Sequence, residues 1–216
     1  MKPDELAQAL LDLGAVRLSP RDPFTWASGL RAPIYCDNRL LLGHPGIRRR
    51  IVTALAERAA RFHPTLIGGT ATAGVPWAAM VAQDLDLPMA YARPERKNHG
   101  MGRRVEGSSP AGHRVVLMED LISTGGSSLR CAEVLREEGA EVLEVLALFS
   151  YGLPRADEAF RAAGIPLHTL ATFDVLRATA LARGLLDAAD DQALAEWRAD
   201  TGGWSRRFED SRRGGP

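Results

Sequence analysis

The chain has 216 residues, 45% of them hydrophobic, which is enough for a real core and suits one α/β domain with appendages. The 27 Lys and Arg balance the 27 Asp and Glu, so no nucleic-acid footprint spreads over the whole surface. No apolar run approaches the length of a membrane span, the N-terminus has no signal-peptide core, and Cys36 and Cys131 form neither a metal pattern nor a disulfide framework; the expectation is a cytoplasmic protein in a reducing compartment.

In chain order, residues 4–13 place Leu6, Ala9, Leu10 and Leu13 on one face of a short helix stopped at Gly14. Residues 15–18 are a short strand candidate, and 24–39 read as a hairpin, two β-like pieces around a turn at Ser28 and Gly29. Two readings of the hairpin stand: a flap over the core, or a wall for an aromatic ligand with Tyr35 as a stacking surface and Arg31 as an anion contact. Residues 45–62 predict a helix with Pro45 at its start and Ile47, Ile51, Leu55 and Ala59 on one side. Arg48, Arg49 and Arg50 within it read as a solvated face rather than a nucleic-acid site. A strand over 65–69 runs into a small-residue loop at 70–74, whose backbone could hold a phosphate, and a helix follows from Val75 to near Asp86.

Residues 88–92 are the next strand. From 93 to 107 apolar periodicity is lost, and Arg93, Arg96, Lys97, His99, Arg103 and Arg104 stand among three glycines in a long basic loop. Composition alone favours a disordered loop. In an enzyme that handles pyrophosphate, the same loop would close over the leaving group, neutralise it and exclude water.

Val115, Val116, Leu117 and Met118 read as a buried strand of a parallel sheet, expected to end where Glu119 and Asp120 follow. After Leu121 and Ile122 comes a turn of small residues, Ser123, Thr124, Gly125, Gly126, Ser127 and Ser128, and then helical spacing up to Gly139. A helix N-terminus binds phosphate, glycines let the backbone approach it, and hydroxyls donate to it. The two acids would repel that phosphate and are better placed to accept hydrogen bonds from sugar hydroxyls, so the stretch predicts a sugar-phosphate site. It lacks the Lys of the Walker loop and the G-x-G-x-x-G of the dinucleotide fingerprint. The bland alternative is a capped strand-to-helix junction, but a buried acid pair is expensive unless something binds there. Further strands at 142–149 and 167–173, linked by a helix at 156–163, complete an alternating pattern with a parallel sheet. Helices fill 174–200, Trp197 and Trp204 are expected to pack the tail onto the body, and 211–216 to fray.

The stretch 115–127 closely resembles the phosphoribosyl-pyrophosphate (PRPP) signature of type I phosphoribosyltransferases: four apolar residues, two acids, two residues, then T-G-G. Other segments narrow the resemblance to the orotate phosphoribosyltransferase family. Residues 91–100, followed by Val105, Glu106 and Gly107, are similar to its catalytic loop, with a K-D-H-G core and an I-E-G end. The hairpin is similar to its F-T-x-x-S-G-x-x-x-P-x-Y segment, and Trp197, Arg198, Ala199 and Asp200 to its tail. The resemblance covers nearly the whole length.

It implies a single phosphoribosyltransferase domain over 1–216, α/β in class. A central, mostly parallel sheet would be flanked by helices, with hood elements at about 1–40 and 174–210, a core at about 45–173, and a long mobile catalytic loop. It implies transfer of ribose 5-phosphate from PRPP to N1 of orotate, giving orotidine 5′-monophosphate and pyrophosphate in UMP biosynthesis. Glu119 and Asp120 match the acids that hold the ribose hydroxyls. The stretch Leu121, Ile122, Ser123, Thr124, Gly125, Gly126 and Ser127 matches the rest of the PRPP site, with the 5′-phosphate cradle over 123–127. Arg93, Lys97 and His99 match the loop residues that reach pyrophosphate, and Lys97 and His99 join the two acids as the catalytic set. Ser123, Tyr35 and Arg155 are the orotate-side candidates. Mg²⁺ would ride on PRPP, with no protein metal cage. The family lends its loop across a homodimer interface, so each site would be shared, and neither nucleic acid nor membrane is an expected partner. The chain departs from a common form of the family at Ala27, Ala73 and Pro94, each in place of a Lys, at Asn98 in place of an Asp, and at Tyr151 and Gly152, where some members have an Arg. Arg31 or Arg155 could supply the lost charge. The rival readings are a purine-base phosphoribosyltransferase, and a non-enzymatic relative that senses nucleotides and binds RNA.

Overall fold

A computed structural model describes residues 1–26, 28–95 and 103–213. The chain opens with α1 (Pro3–Asp12), then β1 (Val16–Leu18), β2 (Phe24–Thr25), β3 (Arg31–Ala32) and β4 (Ile34–Cys36). β2 pairs antiparallel with β3, whereas β4 turns back to pair with β1. The single hairpin expected over 24–39 is therefore divided between two small sheets. Pro33, with no N–H to give a ladder, sits at the division.

A 3-10 turn (Asn38–Gly43) leads into α2 (Pro45–Ala60), whose Pro45 takes the first turn, where its missing N–H is harmless. Arg50 on its exposed face pairs with Glu5 of α1, in keeping with a solvated basic run. The core follows as β5 (Leu66–Thr70), α3 (Gly74–Asp84), β6 (Met89–Ala92), β7 (Val105–Gly107), β8 (Arg114–Ile122), α4 (Gly126–Glu137), β9 (Glu141–Ser150), α5 (Pro154–Ala162) and β10 (Leu167–Thr172). Three helices close the chain: α6 (Phe173–Ala182), α7 (Ala188–Ala199) and α8 (Thr201–Arg213). Among the described residues no helix is long and apolar enough to cross a membrane.

The main sheet has six strands in the order β10-β9-β8-β5-β6-β7, all neighbours parallel except β6 and β7. The edge strand β7 emerges from the end of the segment expected to be loop. Val105 and Glu106 are β-competent residues lying opposite Ala92 and Tyr91.

Val116 and Met118 of β8 join one core cluster with Trp77 and Val81 of α3 and with α1 and α2. Val115 and Leu117 join a second cluster with Leu129, Ala132 and Leu135 of α4. The sheet is covered on both faces, which is why its strands read as continuous apolar runs. From the adjacent strands β5 and β8 the chain winds outward in opposite directions, to β6 on one side and to β9 and β10 on the other. Open α/β sheets bind ligands in the crevice at the carboxyl ends of such a strand pair.

Of the tail expected to fray, 211–213 belong to α8 and 214–216 lie outside the described residues. α8 continues to Arg213 because it has partners: Trp204, 6% exposed, stacks on Phe208 at 5.5 Å, and the Arg31 N–H donates to Ser205 Oγ at 2.9 Å.

Candidate active site

The acid pair stands at the crevice. β8 does not stop at Met118 as the sequence reading expected; it runs on to Ile122, because β9 continues beside it with Glu119 opposite Ala147, Leu121 opposite Phe149 and Ile122 opposite Ser150. Leu121 and Ile122 are thus strand residues, and Ile122 is buried on the α4 side. Glu119 extends the row of Val115 and Leu117 toward α4 and is 5% exposed. Its Oε2 accepts from Ser128 Oγ at 2.8 Å and its Oε1 from the Asp120 N–H at 3.0 Å. Burial, and then the adjacent Asp120 charge, raise the Glu119 carboxyl well above its ordinary range, and burial raises Asp120 too. Two carboxylates this close and this dry cannot both ionise cheaply. Hydroxyl donors from a ligand would relieve both.

The turn that follows is held by Gly125. It caps α4 at φ +77°, the left-handed region, and a Cβ there would fall 2.6 Å from Phe160 Cε2. Thr124 and Ser127 are exposed and Ser123 half-buried around the free N–H groups that open α4. Gly125→Ala is expected to destabilise the fold by roughly 1–3 kcal/mol, combining left-handed strain with the clash. Urea titration checks this; an unchanged midpoint would remove the packing argument.

The loop after β5 lies alongside. Thr70 Oγ1 donates to the Met118 carbonyl at 3.0 Å, the Ala71 N–H donates to the Ala92 carbonyl at 2.9 Å, and the Ala71–Thr72 peptide is cis. A Cβ on Gly74 would run into the Met118 carbonyl oxygen, so α3 starts in contact with the β8 backbone. Loop 70–74 therefore lies against β8 just where the acid pair begins.

Beside them opens a cavity of about 810 Å³, lined among others by Trp26, Tyr35, Leu121, Ser123, Tyr151 and Arg155. The structure thus brings together Tyr35, Ser123 and Arg155, the three orotate-side candidates, and places the hairpin along the cavity. Arg155 is exposed in the first turn of α5. Arg31, the other anion contact read from the hairpin, is half-buried outside that lining, donates to Thr25 Oγ1 at 2.9 Å and lies 3.9 Å from Glu209 of α8. Sequence reasoning missed the rest of the aromatic wall. Trp26 stacks on Tyr151 at 5.3 Å and meets Trp197 edge-on at 5.5 Å, with its Nε1 donating to the Ile34 carbonyl at 3.1 Å. The available signal was Trp26 inside the hairpin motif. Trp197, fully buried, packs the tail as expected and also braces this wall.

At the stem of the basic loop, the Arg93 guanidinium lies 3.2 Å from Glu106 Oε1 and over the Tyr91 ring, while the Tyr91 hydroxyl donates to Glu106 Oε2 at 2.7 Å. Lys97 and His99 lie outside the described residues.

Comparison with known proteins gives the class first. Residues 41–167 match the phosphoribosyl transferase domain. An orotate phosphoribosyltransferase from Bacillus caldolyticus is 50% identical over 202 residues, 93% of this chain and 98% of that protein. The crystal structure of orotate phosphoribosyltransferase from Aeropyrum pernix superposes with a TM-score of 0.73 at 36% identity, over 84% of this chain and 99% of that one. UMP synthase from Leishmania donovani gives a TM-score of 0.76 at 26% identity, over 90% of this chain, which spans only 42% of that longer protein. The chain belongs to the orotate phosphoribosyltransferase family.

Proposed function

We propose that this chain transfers 5-phosphoribosyl from PRPP to N1 of orotate, releasing pyrophosphate and forming orotidine 5′-monophosphate for UMP synthesis. One observation carries the reading: the acid pair and the anion cradle of 123–127 open beside an aromatic-walled cavity that holds Tyr35, Ser123 and Arg155. Orotate as the base, rather than a purine, is supported by the 50% identity with the Bacillus caldolyticus orotate enzyme.

In the reaction the bond from the anomeric carbon to the pyrophosphate oxygen breaks and a bond to N1 of the orotate anion forms. Positive charge builds on the ribose ring, so no protein nucleophile is required, and positioning and charge stabilisation do the work. Glu119 and Asp120 accept from the ribose hydroxyls, and their negative charge favours the cationic ring. Turn 123–127 takes the 5′-phosphate and loop 70–74 the pyrophosphate. Tyr35 faces the orotate ring, Ser123 donates to it, and Arg155 pairs with its carboxylate. Arg93, Lys97 and His99 reach the departing pyrophosphate, lent by the second copy in a homodimer with shared sites.

Among the described residues, the carboxylates at the site are Glu119 and Asp120, and Glu119 is already engaged by Ser128. That set fits a Mg²⁺ carried on the diphosphate, which keeps most of its water and phosphate ligands, rather than a protein cage. When bound, the ion offsets charge on the leaving group. The balanced charge and the absence of a long apolar helix among the described residues suit a cytoplasmic enzyme.

The test is incubation with PRPP, Mg²⁺ and each of orotate, uracil, adenine and hypoxanthine, following loss of the base. Only orotate is expected to be consumed. Turnover of a purine instead, or RNA binding with a steep salt dependence and no turnover, would overturn the reading.

A further inference from the structure

We propose that Asn38 is a positioning residue for the acid pair, standing in for the strand neighbour that β8 lacks at its end. The inference rests on the reading that Glu119 and Asp120 hold ribose.

The ladder between β5 and β8 ends at Gly69 opposite Met118. β9 still covers one side of residues 119–122, but on the other side the strand partner has run out. Buried backbone groups need partners, and here side chains provide them. Thr70 Oγ1 donates to the Met118 carbonyl at 3.0 Å, and Asn38 Nδ2 donates to the Asp120 carbonyl, two residues on, at 2.7 Å. Asn38 lies 82 residues earlier in the chain, in the 3-10 turn after β4, and is only 1% exposed. A fully buried amide so far from the acids in sequence ties the N-terminal hood to the strand end.

Its other end is fixed as well. Asn38 Oδ1 lies 3.2 Å from Cys36 Sγ, and Cys36 lines the base cavity. Burial, and then the charge of Asp120, hold the Cys36 thiol above its ordinary range, so it keeps the proton it donates. The thiol hydrogen bond orients the amide so that Nδ2 faces the carbonyl, which can only accept. The Asp120 carbonyl belongs to the peptide joining the acid to Leu121, another cavity residue. Asn38 therefore sets the backbone at the point where the ribose side and the base side meet. A small shift of Asp120 there would misplace the ribose hydroxyls against both carboxylates.

The test compares Asn38→Ala, Asn38→Ser and Asn38→Asp in the full-length enzyme, measuring kcat, the KM for each substrate and Tm. Asn38→Ala is expected to raise the KM for PRPP and lower kcat, each by about tenfold, while the KM for orotate moves less than threefold. Asn38→Ser, which keeps a donor one bond shorter, should recover part of the loss, and Asn38→Asp, which offers a carboxylate to a carbonyl, should not. If Asn38→Ala fails to fold, the Ser and Asp variants carry the same contrast. A lower Tm with both constants within twofold of wild type, or equal loss in the Ser and Asp variants, would overturn the proposal. Failure of the underlying reading would show differently: the wild-type enzyme would not consume orotate, or Asp120→Asn would retain full rate.

Discussion

Replacing Lys97 with Ala is expected to lower kcat by on the order of 10²–10³-fold while the Kd for PRPP changes only a few-fold. As the bond to the anomeric carbon stretches, the pyrophosphate gains negative charge that it did not carry in the ground state. A cation at the leaving oxygens is therefore worth more in the transition state than in the bound substrate, and its loss appears in kcat. Lys97 lies on the segment joining β6 to β7, whose stem is fixed by the Tyr91, Arg93 and Glu106 contacts. Steady-state kinetics at saturating orotate, with PRPP binding measured separately, resolve the two effects. If kcat held and only KM rose, the leaving-group role would be wrong.

Glu119→Gln is expected to reduce kcat by on the order of 10²-fold and at the same time to raise the stability of the ligand-free protein near pH 8. The loss follows from removing a negative charge beside the cationic ribose. The gain follows from linkage. Burial and the neighbouring Asp120 hold the Glu119 carboxyl up to about 8, from an ordinary 4.5, so the folded state binds its proton more tightly than the unfolded chain does. Stability is therefore fully present below about 4.5 and is lost as pH rises toward about 8. The amide keeps the geometry, with its oxygen toward the Asp120 N–H and its NH₂ toward Ser128 Oγ, and carries no charge to bury. The increase in Tm over wild type should be small at pH 5 and grow through pH 7 to 8. A variant equally or less stable at pH 8 would show that the acid is not strained, and the argument that it awaits a ligand would lose its energetic basis. Functional groups held at a cost to stability are the expected pattern at active sites.

Much of this was legible from residues. The apolar run at 115–118 is a buried strand, the Gly-containing turn opens α4, and the α/β alternation follows from strands buried on both faces. The missed features share a cause. The continuation of β8 through Glu119 and Asp120 depends on β9 lying alongside, and no local rule extends a strand through two acids. The split of the hairpin depends on β1, a strand earlier in the chain. Asn38 is one polar residue in a polar run, and only the fold brings it to Asp120. The aromatic wall gathers Trp26, Tyr151 and Trp197 from three distant segments, so spacing could not reveal it. The approach of Arg31 to Glu209 likewise spans the chain, since Glu209 lies on the last helix.

The most direct measurement is a crystal structure of the enzyme with PRPP and Mg²⁺. The account places the ribose hydroxyls on Glu119 and Asp120, the 5′-phosphate on the backbone and hydroxyls of 123–127, and the base cavity beside the anomeric carbon left open for orotate. PRPP bound away from these residues, or bound here with the ribose turned from both carboxylates, would contradict it.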